Sequence, residues 1–280
     1  MIFNSVVAGG GGSGEVYSMD VVFNDPDFTV IDWDDAYFSW FANDAESSAN
    51  GPERFICPYL EEIQADRVFY STFYMDANLW AFDLSSLRVI NGEDACAYMF
   101  QNSGLGDAFL PALETIDGTN ACMNMFAGCL LGEADLSSLV SINATIGTGG
   151  ANEMFSGCDL VQINLSSLQT IGVEGASFML QANQITELRL PALEAINSFG
   201  CAGMCKDCQS LEAVYFDSLD PTQCGIDPFG DGNAGSEYIF DGCTALAEIH
   251  FPASAQTDIE QWTGFADKWG ATDATIYFDL

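Results

Sequence analysis

A short phrase of alternating apolar and polar residues recurs seven times along this 280-residue chain. Two of its fullest copies are FDLSSLRVI at residues 82–90 and INLSSLQTI at residues 163–171. Each copy has one apolar anchor, and the anchors are Leu84, Leu110, Leu136, Leu165, Leu190, Phe216 and Phe251. Self-similarity at a fixed period of this size is typical of solenoids, in which each repeat buries its apolar face against the next one.

The spacing of the anchors narrows the class of solenoid. Five of the six intervals between anchors are 25 to 29 residues, within the range of leucine-rich repeats. The last interval is 35 residues because an insertion occupies residues 220–235. We therefore predict a β-rich, α+β solenoid of about seven rungs whose short strands form a parallel sheet.

A second phrase precedes the strands and carries a small polar residue at a fixed place, as in MFAGC at residues 125–129 and MFSGC at residues 154–158. We assign this place to Asn78, Ser103, Cys129, Cys158, Asn183, Cys208 and Cys243. Such a column predicts a tight inward turn, where a short side chain hydrogen-bonds neighbouring backbone inside the stack.

Together, the two phrases resemble the BspA-like class of bacterial leucine-rich repeats, whose usual form has Ala-Phe where this chain has Met-Phe. They are also similar to the Met-Phe-rich repeats of bacterial surface lipoproteins. The resemblance covers about residues 72–252 and rests on the seven-fold recurrence. It implies surface display, adhesion and recognition of proteins or glycans, and similar repeats are found in phage tail proteins.

Alternate residues of each strand should face the interior of the solenoid and the rest should line an exposed sheet. One exposed column is predicted to be Ala81, Asp107, Glu133, Gln162, Glu187, Ala213 and Glu248. The adjacent column, our candidate binding surface, is Asp83, Phe109, Asp135, Asn164, Arg189, Tyr215 and His250. Since aromatic residues and Arg are enriched at binding hot spots, we expect a partner at the C-terminal end of this column. The alternative is that the column is merely solvated.

The charge of the chain excludes several classes of partner. There are 41 acidic and 6 basic residues, a formal net charge of −35, which repels nucleic acids and anionic membranes. The hydrophobic fraction of 49% predicts a folded protein all the same. The chain has no stretch of about 18 apolar residues, the length that predicts a membrane-spanning helix.

The first residues lack the basic segment and long apolar run of a signal peptide. We therefore expect a virion or another extracellular assembly reached without a standard leader, with a cytoplasmic location as the alternative.

Metal sites are a weaker interpretation of the remaining motifs. Most of the ten cysteines fall in repeat columns, which predicts reduced, buried thiols; a zinc cluster at Cys201, Cys205, Cys208 and Cys224 is the alternative. Residues 32–35 and 227–233 are rich enough in oxygen ligands for calcium but do not fit EF-hand spacing. We expect no cofactor, with calcium the one alternative.

Catalytic motifs are equally weak. The glycines at residues 9–14 match a dinucleotide-binding pattern, but a strand-like segment follows them where a helix is required. The single histidine, His250, should point outward from the last repeat. We therefore predict that the protein is not an enzyme and has no catalytic residues.

Four segments follow from these patterns: a glycine-rich segment at 1–14, an N-terminal β-rich cap or attachment region at 15–71, the solenoid at 72–252 and a C-terminal helix-strand cap at 253–280. In the last, TDIE at residues 257–260 predicts a capping box. The function that these patterns favour is recognition or attachment to a protein or glycan on a cell surface, or to neighbouring subunits of an assembly. An intracellular protein-protein scaffold is the alternative.

Overall fold

The computed structural model describes residues 20–34, 51–143, 149–233 and 237–280. They form a parallel β-solenoid of about eight rungs with little helix. Two walls of each regular rung are short strands, and the third is a run of turns. The predicted solenoid of stacked parallel strands is therefore confirmed.

Wall 1 carries the strands that were predicted from the repeated phrase. Its strands are β1 (Asp20–Val22), β3 (Arg54–Ile56), β5 (Ala81–Asp83), β7 (Asp107–Phe109), β9 (Glu133–Asp135), β11 (Gln162–Asn164), β13 (Glu187–Arg189), β15 (Ala213–Tyr215), β16 (Glu248–Phe251) and β17 (Thr275–Phe278). They form three separate sheets, in the orders β1-β3-β5, β7-β9-β11 and β13-β15-β16-β17. Wall 1 is thus interrupted after β5 and again after β11.

Wall 2 is one continuous sheet of seven parallel strands. Its strands are β2 (Val30–Ile31), β4 (Glu62–Ile63), β6 (Val89–Asn91), β8 (Thr115–Asp117), β10 (Ser141–Asn143), β12 (Thr170–Ile171) and β14 (Ala195–Ile196). Each contributes one fully buried isoleucine, and these pair in register from Ile31 to Ile196. The isoleucine that ends the repeated phrase is therefore the inward residue of a second strand.

Wall 3 is made of consecutive turns that are hydrogen-bonded from rung to rung. For example, the N–H groups of Phe69 and Phe73 donate to the carbonyls of Ala95 and Met99 at 2.7 and 2.8 Å. Every fourth residue of these turns adopts positive φ, as Tyr98 and Asn102 do. Every second main-chain N–H of these turns therefore points along the solenoid axis and donates to a carbonyl of the next rung.

The column of small polar residues ends wall 3 and bonds the rungs through side chains. Cys129, Cys158 and Cys208 donate their thiol protons to carbonyls of the preceding rung, each at 3.0 Å. Asn183 does the same to the carbonyl of Phe155 at 2.8 Å. The predicted role of this column, a hydrogen bond to backbone inside the stack, is confirmed for these residues.

One assignment to that column was wrong. The Phe73 N–H donates to the carbonyl of Met99 as the Phe100 N–H donates to that of Met125, which aligns the two phenylalanines. Three residues further on, Asp76 and not Asn78 then matches Ser103. The corner of this rung is one residue longer than that of the next, because Asp76 precedes Ala81 by five residues and Ser103 precedes Asp107 by four.

Phenylalanine rings repeat through the core of four successive rungs. Phe73, Phe100, Phe126 and Phe155 form a stack with ring centroids 5.3 to 5.5 Å apart. All four rings are buried. Identical side chains therefore repeat along the axis, as expected for a solenoid.

The N-terminal region is built from further rungs of the same walls. Strand β3 pairs with β5 of the first full repeat, and β2 and β4 extend wall 2. Phe55 lies at the inward position that Phe82 occupies in the next rung. The glycine-rich segment at 1–14 lies outside the described residues.

The C-terminal cap is less helical than the sequence indicated. The α-helix, α1, spans only Gln256–Ile259 and begins after Ala255, without a side-chain cap, so the predicted capping box is wrong. Gly264, in a left-handed conformation, precedes a kinked 3-10 segment, Phe265–Gly270. Within it, Trp269 is fully buried and packs edge-on against Phe229, which the insertion brings into the core. Strand β17 then closes wall 1, as predicted.

Candidate binding surface

The predicted outward column of wall 1 exists, but the interruptions of the wall divide it into three groups. Asp83 lies in the first sheet, where it pairs with Ile56. The middle sheet aligns Phe109, Asp135 and Asn164. The last sheet aligns Arg189, Tyr215 and His250. The structure therefore divides the seven candidate residues into one isolated residue and two groups of three.

The C-terminal group forms a continuous stack along the solenoid axis. The Arg189 guanidinium carbon lies 3.8 Å from the centroid of the Tyr215 ring. The Tyr215 and His250 rings stack with centroids 4.6 Å apart, and His250 stacks on Tyr277 at 4.7 Å. We call this stack of Arg189, Tyr215, His250 and Tyr277 the ladder. Since the ring faces cover one another, a partner of the ladder would contact ring edges and hydroxyl groups.

Carboxylates pair with two members of the ladder, Arg189 and His250. Glu187 accepts two hydrogen bonds from Arg189, at 2.6 and 3.3 Å, which raise the pKa of the guanidinium and keep it charged. The two ring nitrogens of His250 lie 2.9 Å from Asp279 and 3.3 Å from Glu248. Such side chains lose little freedom on binding, because their geometry is already fixed.

His250 is less accessible than the sequence indicated. It lies in the outward column as predicted, but its side chain is only 11% exposed because the tyrosine rings cover both of its faces. The accessible members of the ladder are Arg189, which is 53% exposed at its side chain, and Tyr277, at 36%.

Three other candidate residues have a structural role. Asp83, Asp135 and Asn164 each accept a hydrogen bond from the backbone N–H two residues further on, at 3.0 to 3.2 Å. This side-chain bond stabilises the turn that follows each strand. Phe109, by contrast, is 49% exposed on the same face.

A cleft opens in wall 1 between β11 and β13. Its volume is about 530 Å³, and its lining includes Val161, Gln162, Asn164, Glu187 and Arg189. The two strands belong to different sheets, so no ladder of hydrogen bonds closes the space between them. The cleft therefore joins the middle group of the column to the C-terminal ladder.

The repeated phrase did not predict Tyr277, Asp279 or the cleft. A signal was available for the first two, because Thr275–Phe278 repeats the alternation of Glu248–Phe251 and pairs with it in register. Nothing in the repeated phrase distinguishes β11, so the cleft had no signal in the sequence.

Acidic residues of the segments considered for calcium have hydrogen-bond partners within the protein where they are described. No group of three or more His, Cys, Asp or Glu side chains is placed to hold a metal ion among the described residues. Asp231 bonds Asn233 within its own loop, and Asp34 accepts from the backbone of Asp66. The neighbouring Asp35 lies outside the described residues.

Nine of the ten cysteines are buried, and burial raises the pKa of most of the thiols. All ten are free. Burial raises the pKa of the Cys57 thiol to about 12 and that of Cys224 to about 11. Neutral, buried thiols are poor nucleophiles.

Comparisons with protein-family models, with curated proteins and with solved structures each returned no match. Across the described residues, the helices are too short and too polar to span a bilayer. The class of this protein is therefore defined by its fold, a parallel β-solenoid with three walls.

Proposed function

We propose that this protein is a non-enzymatic recognition or attachment protein that binds through wall 1. Its partner is a protein or glycan on a cell surface, or a neighbouring subunit of an assembly such as a phage tail. The observation that carries the proposal is the ladder of Arg189, Tyr215, His250 and Tyr277, whose members are held in register on an outward face. The resemblance of the repeats to the BspA-like class supports the same role.

The composition of this face supports recognition over simple solvation. In a chain of net charge −35, Arg189 is one of only six basic residues, yet it stacks on an aromatic ring of the outward column. A solvated face needs no such arrangement, whereas Arg and Tyr are common anchors of binding surfaces.

An intracellular protein-protein scaffold is the second candidate, and one observation favours it. All ten cysteines are free, and several of them donate hydrogen bonds inside the stack. Free thiols persist most readily in a reducing compartment.

Quantitative mass spectrometry of fractionated source material separates the two candidates. Enrichment in virions or in the cell envelope supports attachment. Confinement to the cytosol supports the scaffold and rejects attachment.

Binding of the purified protein to the enriched fraction then tests the surface itself. We expect the double variant Arg189→Ala/Tyr215→Ala to bind at least about ten-fold more weakly, the effect of losing one hot spot. Arg88→Ala is the matched control, because Arg88 also pairs with a glutamate and is similarly exposed, but precedes a strand of wall 2. Full binding by the double variant would reject wall 1 as the recognition surface.

A further inference from the structure

Four successive rungs of wall 1 each expose one large apolar side chain. These residues, which we call the apolar rim, are Trp80 before β5, Phe109 in β7, Leu130 before β9 and Val161 before β11. Each is at least 49% exposed. Single exposed apolar residues are ordinary, but a group on neighbouring rungs of one face is typical of an interaction surface.

Two glycines lie between Trp80 and Val161 in the same column. Gly106 immediately precedes β7, as Trp80 precedes β5. The Gly132 N–H donates to the carbonyl of Gly106 at 2.9 Å, and the Val161 N–H donates to that of Gly132 at 3.0 Å. At a strand spacing of about 4.8 Å, Val161 therefore lies about 10 Å from Gly106. The two glycines form the floor of a trough that is two rungs wide.

The fold does not require glycine at either position. Neither glycine has a positive φ, and a Cβ built on either one would have no neighbour within 4 Å. Later rungs carry Thr186 and Glu212 in the same column, so the column accommodates side chains. Glycine loses more conformational freedom on folding than any other residue, which makes it costly where no turn or contact demands it. Such glycines are typical of places where another molecule approaches the main chain closely.

Two carboxylates border the trough on its strand side. Asp107 and Glu133 directly follow the two glycines and pair in register. The outward Glu187 of the last sheet pairs with Arg189, but no basic side chain of the described residues pairs with Asp107 or Glu133. Like charges that lie opposite each other in a sheet repel. A cationic group placed between the two carboxylates would relieve this repulsion.

We propose that the trough binds a basic segment of a partner protein. The aliphatic part of a Lys or Arg side chain lies on the glycine floor, and its charge lies between Asp107 and Glu133. Long basic side chains bury their methylene groups on apolar surface while the charged end stays at a polar site. The ring of Trp80 also attracts a cation. The inference rests on the proposed function and identifies the partner as a protein with a basic segment.

Charge and apolar surface together select this occupant. The net charge of −35 attracts a basic partner and speeds its approach. A neutral glycan would leave Asp107 and Glu133 without a counter-charge. A small polyamine would supply the charge but would leave the apolar rim exposed. A basic segment with apolar neighbours satisfies both parts of the surface.

Fluorescence anisotropy of a labelled peptide with the full chain tests this inference. The probe is the capped heptapeptide Ala-Leu-Arg-Ala-Arg-Leu-Ala. In the comparison peptide, citrulline replaces both arginines and keeps their shape without the charge. We expect the probe to bind at least about ten-fold more tightly at physiological salt, and more tightly still at low salt. Equal affinities, or no binding of the probe at millimolar concentration, would overturn the proposal.

Two further ligands separate the trough from general attraction to an acidic protein. One is the same peptide with alanine in place of both leucines, and the other is spermidine. Both carry positive charge without the apolar contacts. We expect each to bind at least about ten-fold more weakly than the probe. If either binds as tightly, the rim does not recognise a protein segment and the proposal fails.

A pair of charge variants locates the cationic end of the segment. Asp107→Asn/Glu133→Gln should weaken binding of the probe at least about ten-fold. The matched control is Glu194→Gln/Asp273→Asn, which removes the same charge from exposed positions on other rungs. Its affinity should stay close to that of the wild type, because salt screens distant charges. Equal losses in the two variants would show non-specific attraction and overturn the proposal.

Filling the floor tests the trough itself. Gly106→Leu/Gly132→Leu should keep the wild-type melting temperature, because the added side chains extend into open space, but should lose binding of the probe. Thr186→Leu is the matched control, since it adds leucine to the same column beyond the trough. Trp80→Ala removes an exposed ring without occupying the floor and should weaken binding several-fold. Full binding by the glycine variant or by Trp80→Ala would reject the trough as the site.

The outcomes separate this inference from the proposed function. If Arg189→Ala/Tyr215→Ala loses binding to the enriched source fraction while the probe does not bind the wild type, the inference is rejected and the proposed function stands. If the probe binds at the trough while the protein is confined to the cytosol, attachment is rejected and the trough remains a site for a basic protein segment.

Discussion

Replacement of Asn183 should destabilise the solenoid more than any exposed substitution, because this one side chain satisfies several buried main-chain groups. It is completely buried. Its amide donates to the carbonyls of Phe155 and Leu180 at 2.8 and 3.0 Å, and its Oδ1 accepts from the Leu160 N–H at 2.8 Å. In Asn183→Ala the Phe155 carbonyl and the Leu160 N–H lose these partners.

The size of the effect follows from those bonds. A buried polar group left unpaired costs about 1–3 kcal/mol, so Asn183→Ala should lower the free energy of unfolding by about 3–5 kcal/mol. In Asn183→Cys the thiol can donate to Phe155, as Cys208 donates to Leu180. It cannot replace the acceptor for Leu160, so a loss of about 1–2 kcal/mol is expected.

Urea unfolding and amide hydrogen exchange together measure this effect. The unfolding midpoint gives the global loss, and exchange at Leu160 reports the local opening that a repeat protein can undergo. The control is Asn91→Ala, at an exposed position at the end of β6, with an expected change within about 0.5 kcal/mol. If Asn183→Ala lies within about 1 kcal/mol of the wild type, the assigned role of the turn column is wrong.

Three further predictions concern a buried carboxylate, a glycine between rungs and a cysteine. Burial raises the pKa of Asp76 from 3.8 to about 6, and its Oδ2 has no hydrogen-bond partner among the described residues. Because the pKa of Asp76 is higher in the folded state than in the unfolded state, its ionisation lowers the free energy of unfolding as pH rises from about 4 to 6. The difference in free energy of unfolding between Asp76→Asn and the wild type, measured in urea, should therefore grow by up to about 3 kcal/mol across that range. A difference independent of pH would contradict this. Gly92→Ala should lower the melting temperature strongly, because its Cβ would lie 2.2 Å from the backbone oxygen of Ala65. Gly106→Ala is the control, because its Cβ would meet nothing within 4 Å. Equal melting temperatures of the two variants would refute the close packing of rungs. Cys224, the one cysteine that is not fully buried, should react first with iodoacetamide in the folded protein, as peptide mass spectrometry would show, and faster labelling of any other cysteine would oppose the assigned burial.

The repeats made the fold predictable because their period is preserved. Anchors such as Leu84 and Leu110 recur at 25 to 29 residues in five of the six intervals, so their strands stack in register and the outward column follows by alternation. The second wall was not predicted because each of its strands buries a single apolar residue, as Thr170–Ile171 buries Ile171, which leaves no alternation to be seen. The misassigned Asn78 shows that the alignment of a corner residue cannot be fixed until the hydrogen bonds between rungs are known.

The candidate site was only partly predictable. Arg189 and Tyr215 were chosen for their residue types, and the structure shows that they stack. Asp83 and Asp135 were chosen for their place in the column, although a following Ser two residues on also indicates a turn cap. The cleft depends on the separation of two strands whose sequences match the repeat, which is a property of tertiary packing.

The uneven walls also have a mechanical consequence. Bending of the solenoid strains the hydrogen bonds between rungs, and at the boundary between β11 and β13 walls 2 and 3 retain these bonds while wall 1 has lost them. The rungs on either side can therefore rotate about wall 2 as two stiff segments, at a lower energetic cost than at a boundary bonded on all three sides. Flexing of the whole molecule should then concentrate at this boundary and at the one between β5 and β7, where wall 1 is also interrupted, and change the width of their open sides.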